Sequence, residues 1–238
     1  MGGDIMRVYG MPDFGPRYVS PQEIMEANNA YAAENRKIFN DLGVFALNMM
    51  GSPGSGKTKL LETMLPLLQQ RIRVAVIEGD LATAKDARRI AGCGVSVVQI
   101  NTGGEGHLDA QMINRVLSGF YLEDIDMLII ENVGSLISPA SFDLGADRRM
   151  VVMSIAEGED KPSKYPTAFL YSHMAVLNKI DLLNVLDIDL DIMQKDIAEI
   201  NPEINVFATC CRHGEVLGVD ALADHLVSLV KDKIRNRE

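Results

Sequence analysis

Short apolar runs alternate with segments of helical periodicity from residue 44 almost to the C-terminus. Several runs are apolar at nearly every position, which is typical of strands buried on both faces of a sheet. The pattern predicts stacked βαβ units, an α/β fold in which helices flank a mostly parallel sheet of about seven strands. The predicted strands are 44–50, 72–77, 95–100, 126–131, 149–155, 174–178 and 204–208, and the predicted helices lie near 57–70, 84–91, 108–120, 161–171, 191–199 and 218–234.

A further helix is predicted before the first strand. Ser20-Pro21-Gln22-Glu23 supplies an N-cap, a proline at the first helical position and a glutamate that can close a capping box. The helix should reach about Asn40, and its modest apolar stripe suits packing on the outside of the domain or against a second subunit. Residues 1–19 lack periodicity and read as a loosely docked arm. We therefore divide the chain into an arm and helix, 1–42, and a main domain, 43–238.

The stretch GSPGSGKT at residues 51–58 reads G-x-x-x-x-G-K-T and follows the first predicted strand. Backbone N–H groups of such a loop, and of the helix start after it, converge on phosphate oxygens. Lys57 is expected to reach the β- and γ-phosphates, and the Thr58 hydroxyl to ligate Mg²⁺. The stretch therefore predicts a P-loop NTPase, with phosphate contacts from Gly51, Ser52, Gly54, Ser55, Gly56, Lys57 and Thr58.

Acidic residues end two other predicted strands. Asp80 follows the second strand, Glu131 follows the fourth, and Gly134 comes three residues later, where its N–H can sense the γ-phosphate. Each acid taken alone suits a helix cap or a surface position, but beside a phosphate loop we expect both near Mg²⁺. We predict Lys57, Asp80 and Glu131 as the catalytic residues. No glutamine stands near Glu131 to orient water, so Asp80 or Glu131 is the candidate and slow turnover is expected.

The stretch Asn178-Lys179-Ile180-Asp181 follows the sixth predicted strand and reads N-K-x-D. A carboxylate at its end can accept two hydrogen bonds from guanine, and the aliphatic part of Lys179 can cover the ring. Thr209 and Cys210, after the seventh strand, are expected over the base. Together with the phosphate loop, this stretch favours GTP over ATP.

Composition narrows the range of partners. The chain carries 33 acidic and 23 basic residues, a formal charge of −10, which argues against affinity for nucleic acid or anionic membranes. No apolar run reaches the ~18 residues of a membrane span, and the N-terminus does not resemble a signal peptide. We expect a cytoplasmic protein. Its three cysteines are expected to be reduced thiols.

Beyond these motifs, residues 28 to 221 resemble the nickel-incorporation GTPases of hydrogenase maturation, which are P-loop metallochaperones. The resemblance rests on the segments NNAYAAENRKIF, LNMMGSPGSGKT, IEGDLAT, VQINTGGEGHLDAQMI, LIIENVGSLISPASFDLG, SIAEGEDKPSKYP and LNKIDLL. It implies a GTP-hydrolysing protein that forms a GTP-dependent homodimer. It also implies two further partners, a nickel metallochaperone and the precursor of a hydrogenase large subunit.

The resemblance also marks a departure from the family. The family pattern reads G-x-x-C-H-L-D-A and, later, N-L-x-C-P-A-S-F-D, and these cysteines and the histidine form a metal site shared across the dimer. This chain has Gly106-His107 and Ser138-Pro139 instead. Thiolates supply much of the affinity of a Ni²⁺ or Zn²⁺ site, so tight binding should be lost. His107 is then either a polar residue at a helix start or a weak residual ligand, assisted by Glu105, Asp109 or Asp143.

Two alternatives to nickel insertion remain open at this point. The chain could be a GTP-gated dimeric scaffold or regulatory switch that does not itself carry metal. It could also be a P-loop kinase acting on a small substrate, because the phosphate loop alone does not separate kinases from GTPases. The N-K-x-D stretch argues against the kinase.

Overall fold

The computed structural model describes residues 20–237, and within them one eight-stranded sheet forms the centre. The strand order is β3-β2-β4-β1-β5-β6-β7-β8, in which β1 to β7 are parallel and β8 pairs antiparallel with β7. The predicted α/β class is confirmed. The strands are β1 Phe45–Gly51, β2 Val74–Asp80, β3 Ser96–Asn101, β4 Met127–Gly134, β5 Arg148–Ser154, β6 Met174–Asn178, β7 Asn205–Arg212 and β8 Glu215–Leu217.

Helices cover both faces of the sheet. They are α1 Pro21–Leu42, α2 Lys57–Gln69, α3 Lys85–Ala91, α4 Ala110–Leu117, α5 Ser138–Ser141, α6 Lys161–Lys164, α7 Pro166–Leu170, α8 Leu190–Ile200 and α9 Val219–Arg235. The single helix predicted over 161–171 is wrong, because α6 and α7 are separate. Tyr165 between them has φ −126° and ψ 52°, and the following Pro166 disfavours helical backbone at the residue before it.

The eighth strand was not predicted from the sequence. β8 has three exposed residues and returns on β7 through a turn in which Gly214 has φ +83°. Three exposed residues carry too little alternation to stand out from a loop, so only the glycine marked the turn. The strand register of β7 and β8 brings Cys210 opposite Leu217.

The core is built by alternation along the central strands. Phe45, Leu47 and Met49 of β1 pack with α2 and α9 on one face, whereas Ala46 points to the other face, among α1 and α4 side chains. A third cluster joins β5 and β6 to α7 and α8. Burial on both faces explains why these strands read as continuous apolar runs.

Helix α1 begins with the predicted capping box. The backbone N–H of Ser20 donates to Glu23 Oε2 at 2.8 Å, and that of Glu23 donates to Ser20 Oγ at 3.1 Å. Further along, the buried Asn35 side chain donates to the carbonyl oxygens of Ala110 and Leu144. These contacts fix α1 against α4 and the loop before β5, although the division of the chain at residue 42 stays a prediction.

The arm predicted at 1–19 lies outside the described residues. Between residues 20 and 237, no helix has the length and apolar character needed to cross a membrane.

Candidate nucleotide site

The loop from Gly51 to Thr58 joins β1 to α2 at the carboxyl edge of the sheet, between β4 and β5. Close contacts require glycine at two of its positions, 51 and 56. A Cβ atom on Gly51 would lie 2.1 Å from the carbonyl oxygen of Val152, and one on Gly56 would lie 2.5 Å from Asn178 Nδ2. Gly56 also has φ +94°, a conformation that costs other residues free energy. A side chain at either position would therefore collide with neighbouring groups of the sheet or of the N-K-x-D stretch.

Lys57 lies inside this loop with its side chain folded over it. Its Nζ donates to the carbonyl oxygens of Gly51 at 2.9 Å and Ser52 at 3.4 Å. Burial lowers the pKa of the ammonium, an effect that the Glu131 and Glu78 carboxylates oppose. The predicted phosphate-binding lysine therefore lies at the centre of the loop. The buried Ser55 hydroxyl has no hydrogen-bond partner within the described part of the chain.

Two buried carboxyl groups lie beside the loop. Thr58 Oγ1 donates to Glu131 Oε1 at 2.9 Å, and the parallel pairing of β2 and β4 sets Glu78 directly opposite Glu131. In each glutamate Oε2 is buried without a partner among residues 20–237. Burial and the neighbouring Glu131 raise the pKa of Glu78 from 4.5 to about 10, and burial raises that of Glu131. Sequence reasoning missed Glu78, whose only signal was an acid at a position of a strand that is otherwise buried.

Asp80, the acid predicted at the end of β2, is oriented differently. Its carboxylate accepts hydrogen bonds from the backbone N–H of Leu81 and from the N–H and hydroxyl of Thr83, which close the turn before α3. Those bonds lower its pKa although partial burial opposes them. Asp80 still lines the cleft beside Lys57, so its predicted role near Mg²⁺ stays a prediction.

Two residues of α3 enter the same cleft, of about 380 Å³, and were not predicted. Arg89 donates through Nε and Nη2 to the two carboxylate oxygens of Glu62 in α2, both at 2.9 Å, and through Nη1 to Asp86 at 2.7 Å. This bidentate pair fixes α3 on α2 and leaves Asp86 on the cleft wall. Gly134, the predicted γ-phosphate sensor, faces the cleft across from Pro53, whose atoms would be 3.2 to 3.3 Å from an added Cβ.

The N-K-x-D stretch is tied to the phosphate loop. Asn178 Nδ2 donates to the Ser55 carbonyl oxygen at 2.9 Å, and its Oδ1 accepts from the hydroxyl of Thr209 at 3.1 Å. Lys179 Nζ donates to the Gly54 carbonyl oxygen at 2.7 Å, from a residue with φ +64°. Residues separated by more than 120 positions thus form one wall.

Asp181 and Cys210 close the far side of this wall. Asp181 lies in a short 3₁₀ turn, Ile180–Asn184. Burial raises the pKa of the Cys210 thiol, and the neighbouring Asp181 carboxylate acts in the same direction. All residues predicted for phosphate and base contacts therefore lie along one edge of the sheet, while their binding roles stay predictions.

Comparison with known proteins places the chain in a family. The nucleotide-binding domain model of the CobW/HypB/UreG proteins matches residues 45–208. The chain belongs to this family. The hydrogenase maturation factor HypB of Rhizobium leguminosarum bv. viciae is 44% identical over 217 residues, which cover 91% of this chain and 72% of that protein. The chain spans between 65% and 72% of the first curated relatives it matches.

Two solved structures of family members share the architecture. HypB from Archaeoglobus fulgidus is 35% identical with a TM-score of 0.79, over 86% of this chain and 99% of that one. HypB from Helicobacter pylori, solved in complex with nickel, is 35% identical with a TM-score of 0.80, over 89% and 97% of the two chains. The predicted resemblance to the hydrogenase maturation proteins is therefore confirmed.

His107, the candidate residual metal ligand, lies in the loop between β3 and α4. The His107 ring stacks on Phe142, with centroids 4.0 Å apart and an angle of 26°. A Cβ atom on Gly106 would have no atom within 4 Å. Between residues 20 and 237, no group of three or more His, Cys, Asp or Glu is arranged to hold a metal ion. A residual role of His107 toward Ni²⁺ or Zn²⁺ stays a prediction.

Proposed function

We propose that this member of the CobW/HypB/UreG family binds and slowly hydrolyses GTP, and that it serves nickel insertion during hydrogenase maturation. We also propose a GTP-dependent homodimer that works in the cytoplasm with a nickel metallochaperone and a hydrogenase large-subunit precursor. Nickel is the cargo in this proposal, not a resident cofactor. The curated relatives named as hydrogenase maturation factors support it.

One observation carries the choice of GTP. Asn178 and Lys179 donate to the carbonyl oxygens of Ser55 and Gly54 at 2.9 and 2.7 Å, so the N-K-x-D stretch is joined directly to the phosphate loop. A nucleotide with its phosphates on the loop then has its base within reach of Asp181. A carboxylate there accepts from the N1–H and exocyclic amine of guanine, a donor pair that adenine lacks.

The buried carboxyl pair supports Mg²⁺ as the metal of this site. Oε2 of Glu78 and Oε2 of Glu131 have no partner among residues 20–237, and with the Thr58 hydroxyl they form the all-oxygen donor set that Mg²⁺ prefers. Thr58 and Glu131 would hold it, with Asp80 and Glu78 in its surroundings, and the ion would neutralise charge on the β- and γ-phosphates. Lys57 would move from the Gly51 and Ser52 carbonyl oxygens to phosphate oxygens, and the loop N–H groups would orient them.

Base selection by Asp181 is the test of this proposal. Asp181→Asn replaces an acceptor by a group that also donates, so we expect preference to move from GTP to xanthosine triphosphate, whose extra carbonyl accepts. Turnover of GTP, ATP and xanthosine triphosphate by phosphate release, without an added acceptor, measures it. Lys57→Ala is the inactive control. Unchanged guanine selectivity in Asp181→Asn, or equal release from ATP by the unmodified protein, would contradict the assignment.

A GTP-gated scaffold that does not carry metal is the second candidate. It is favoured because glycine and serine occupy positions 106 and 138, where the family pattern has cysteines. Sizing of the protein in solution with GTP or GDP, each with and without Ni²⁺, separates the two. Dimerisation that follows GTP and ignores Ni²⁺, with no bound metal by elemental analysis, favours the scaffold. Stoichiometric nickel in the dimer favours cargo handling.

A further inference from the structure

A second cavity lies at the opposite edge of the sheet from the phosphate loop. It measures about 810 Å³, against about 380 Å³ for the cleft beside Lys57. The starts of β5, β6 and β7 line it, together with the ends of α7 and α8 and one side of α9. Nothing in the proposed nucleotide chemistry uses this space.

The two aspartates that line this cavity already have cationic partners within the protein. The Asp143 carboxylate accepts from Arg36 at 2.7 Å and from the N–H of Gly145. The Asp147 carboxylate accepts from Lys233 at 2.7 and 2.8 Å and from the N–H of Ala46. Each aspartate is therefore already paired with a cationic side chain and a backbone N–H of the protein itself.

Two neighbouring arginines of β5 are left with little anionic compensation. Arg148 donates to the carbonyl oxygen of Asp147 at 2.9 Å and has no carboxylate within 4.0 Å among residues 20–237. Arg149 donates to the carbonyl oxygens of Ala140 and Phe142, and the nearest Asp143 oxygen is 3.8 Å away. Burial lowers the pKa of the Arg149 guanidinium. Glu203 at the rim is exposed and makes no ion pair in the described part of the chain.

Two histidine rings complete the polar wall. His173 Nδ1 accepts the backbone N–H of Arg149 at 3.1 Å, so the hydrogen of the neutral ring is on Nε2, which is left free to donate. His225 lies on α9 with its ring 5.4 Å from that of Phe207. Burial, and next the charge of Arg148, lower the pKa of both rings. Arg148, His173 and His225 line the same cavity, so one ligand can contact all three.

We propose that this cavity binds a small organic anion, a carboxylate or phosphate attached to an apolar body, with Arg148 as its main charged contact. A guanidinium presents paired donors that match the two oxygens of a carboxylate or phosphate group. Leu170, Tyr171 and Leu229 supply apolar surface beside it, and the first two are about half exposed. On a chain of net charge −10, a guanidinium inside a cavity with no carboxylate within 4.0 Å among residues 20–237 favours a specific anion site over a general polyanion surface.

Histidine NMR tests this directly, because the chain contains only four histidines, at 107, 173, 213 and 225. The probes are phenyl phosphate and phenylacetate, which separate the two anion chemistries. We expect saturable shifts of the His173 and His225 ring signals, with His107 and His213 unmoved. Shifts with one probe alone would identify the class. No saturable shift with either probe at millimolar concentration would overturn the proposal, as would equal shifts of all four rings.

Variants make the test specific to Arg148. Arg148→Gln should weaken the probe that binds by about tenfold or more, and Arg148→Lys, which keeps the charge but loses the paired donors, should weaken it less. Arg115→Gln, on the exposed side of α4, is the matched control and should bind normally. Lys57→Ala should also leave the shifts intact. Loss of the shifts in Lys57→Ala would assign them to the phosphate loop and overturn the proposal, as would normal binding by Arg148→Gln with unchanged His107 and His213 signals.

Discussion

Gly56 in the phosphate loop and Gly106 in the loop before His107 differ in how closely other atoms surround them. At Gly56 an added Cβ would lie 2.5 Å from Asn178 Nδ2, in a backbone with φ +94°, whereas at Gly106 it would have no atom within 4 Å. The nucleotide loop therefore demands glycine at its position. The loop before His107 only tolerates it.

This difference shows that packing specifies the phosphate loop more tightly than the loop before His107. Around Gly56, several independent contacts join the loop to Lys57, Asn178 and Lys179, so the nucleotide site is specified by packing. Near Gly106, the His107 ring stacks on Phe142, and no atom of the described residues lies within 4 Å of a Cβ added at Gly106. We therefore expect a side chain at position 106 to leave both the fold and the phosphate loop unchanged.

Restoring both thiols should produce the largest effect. Gly106 has space for a side chain, and Ser138, the first residue of α5, differs from cysteine by one atom. We expect Gly106→Cys combined with Ser138→Cys to raise Ni²⁺ or Zn²⁺ affinity by roughly 1,000-fold or more in the GTP-bound protein, since thiolates dominate such sites.

Competition with a chromophoric chelator measures this affinity. Each single substitution is the control and should gain much less, because one thiolate leaves the ligand set incomplete. If the double variant binds metal no more tightly than the unmodified chain, the two loops do not form a common site.

A matched pair of alanine substitutions tests whether Gly56 and Gly106 differ in their need for glycine. Gly56→Ala should weaken GTP binding by about 10- to 100-fold, because strain of about 1–3 kcal/mol must be relieved by moving the loop or Asn178. Gly106→Ala should leave GTP binding and the free energy of unfolding within about 0.5 kcal/mol of their original values. Titration calorimetry and denaturant unfolding give both quantities, and similar behaviour of the two variants would remove the contrast.

The smallest effect concerns the pH dependence of stability in the nucleotide-free protein without metal. Because burial raises the pKa of Glu78 to about 10 in the folded state, the folded chain holds a proton that the unfolded chain releases above about pH 4.5. The stability that this protonation contributes is therefore lost as the pH rises from about 4.5 toward about 10. Glu78→Gln should flatten the decline, so that it gains stability over the unmodified chain by about 1 kcal/mol or more between pH 5 and pH 9.

Urea unfolding at the two pH values measures this change. Glu105→Gln, an exposed carboxylate in the His107 loop, is the control and should not alter the slope. A decline in Glu78→Gln as steep as in the unmodified chain would show that Glu78 is ionised in the folded protein.

Most of the fold, and the residues expected to contact phosphate and base, could be predicted from local sequence patterns. Strand runs buried on both faces, the G-x-x-x-x-G-K-T spacing and the capping box at Ser20 each carry their information within a few residues. Glu78 could not be found this way. Its partner Glu131 is 53 positions away and reaches it only through the pairing of β2 with β4, which local sequence does not encode.

The same reason explains the other misses. Arg89 meets Glu62 across two helices, and the cavity around Arg148 is enclosed by segments from five parts of the chain. The break at Tyr165 was within reach, because Pro166 is visible in the sequence, but the apolar residues after it continued the helical pattern. Pairing across elements, not the character of single residues, separates what was predicted from what was missed.

The hydrogen bond from Asn178 Nδ2 to the Ser55 carbonyl oxygen has a consequence for the order of folding. It joins residues 123 positions apart, so the phosphate loop cannot reach this arrangement until β6 has been synthesised and has docked on β5. Loop closure over that length is slow compared with local helix formation. A nucleotide would then bind only the completed sheet, and its free energy of binding would select finished molecules over partly folded ones.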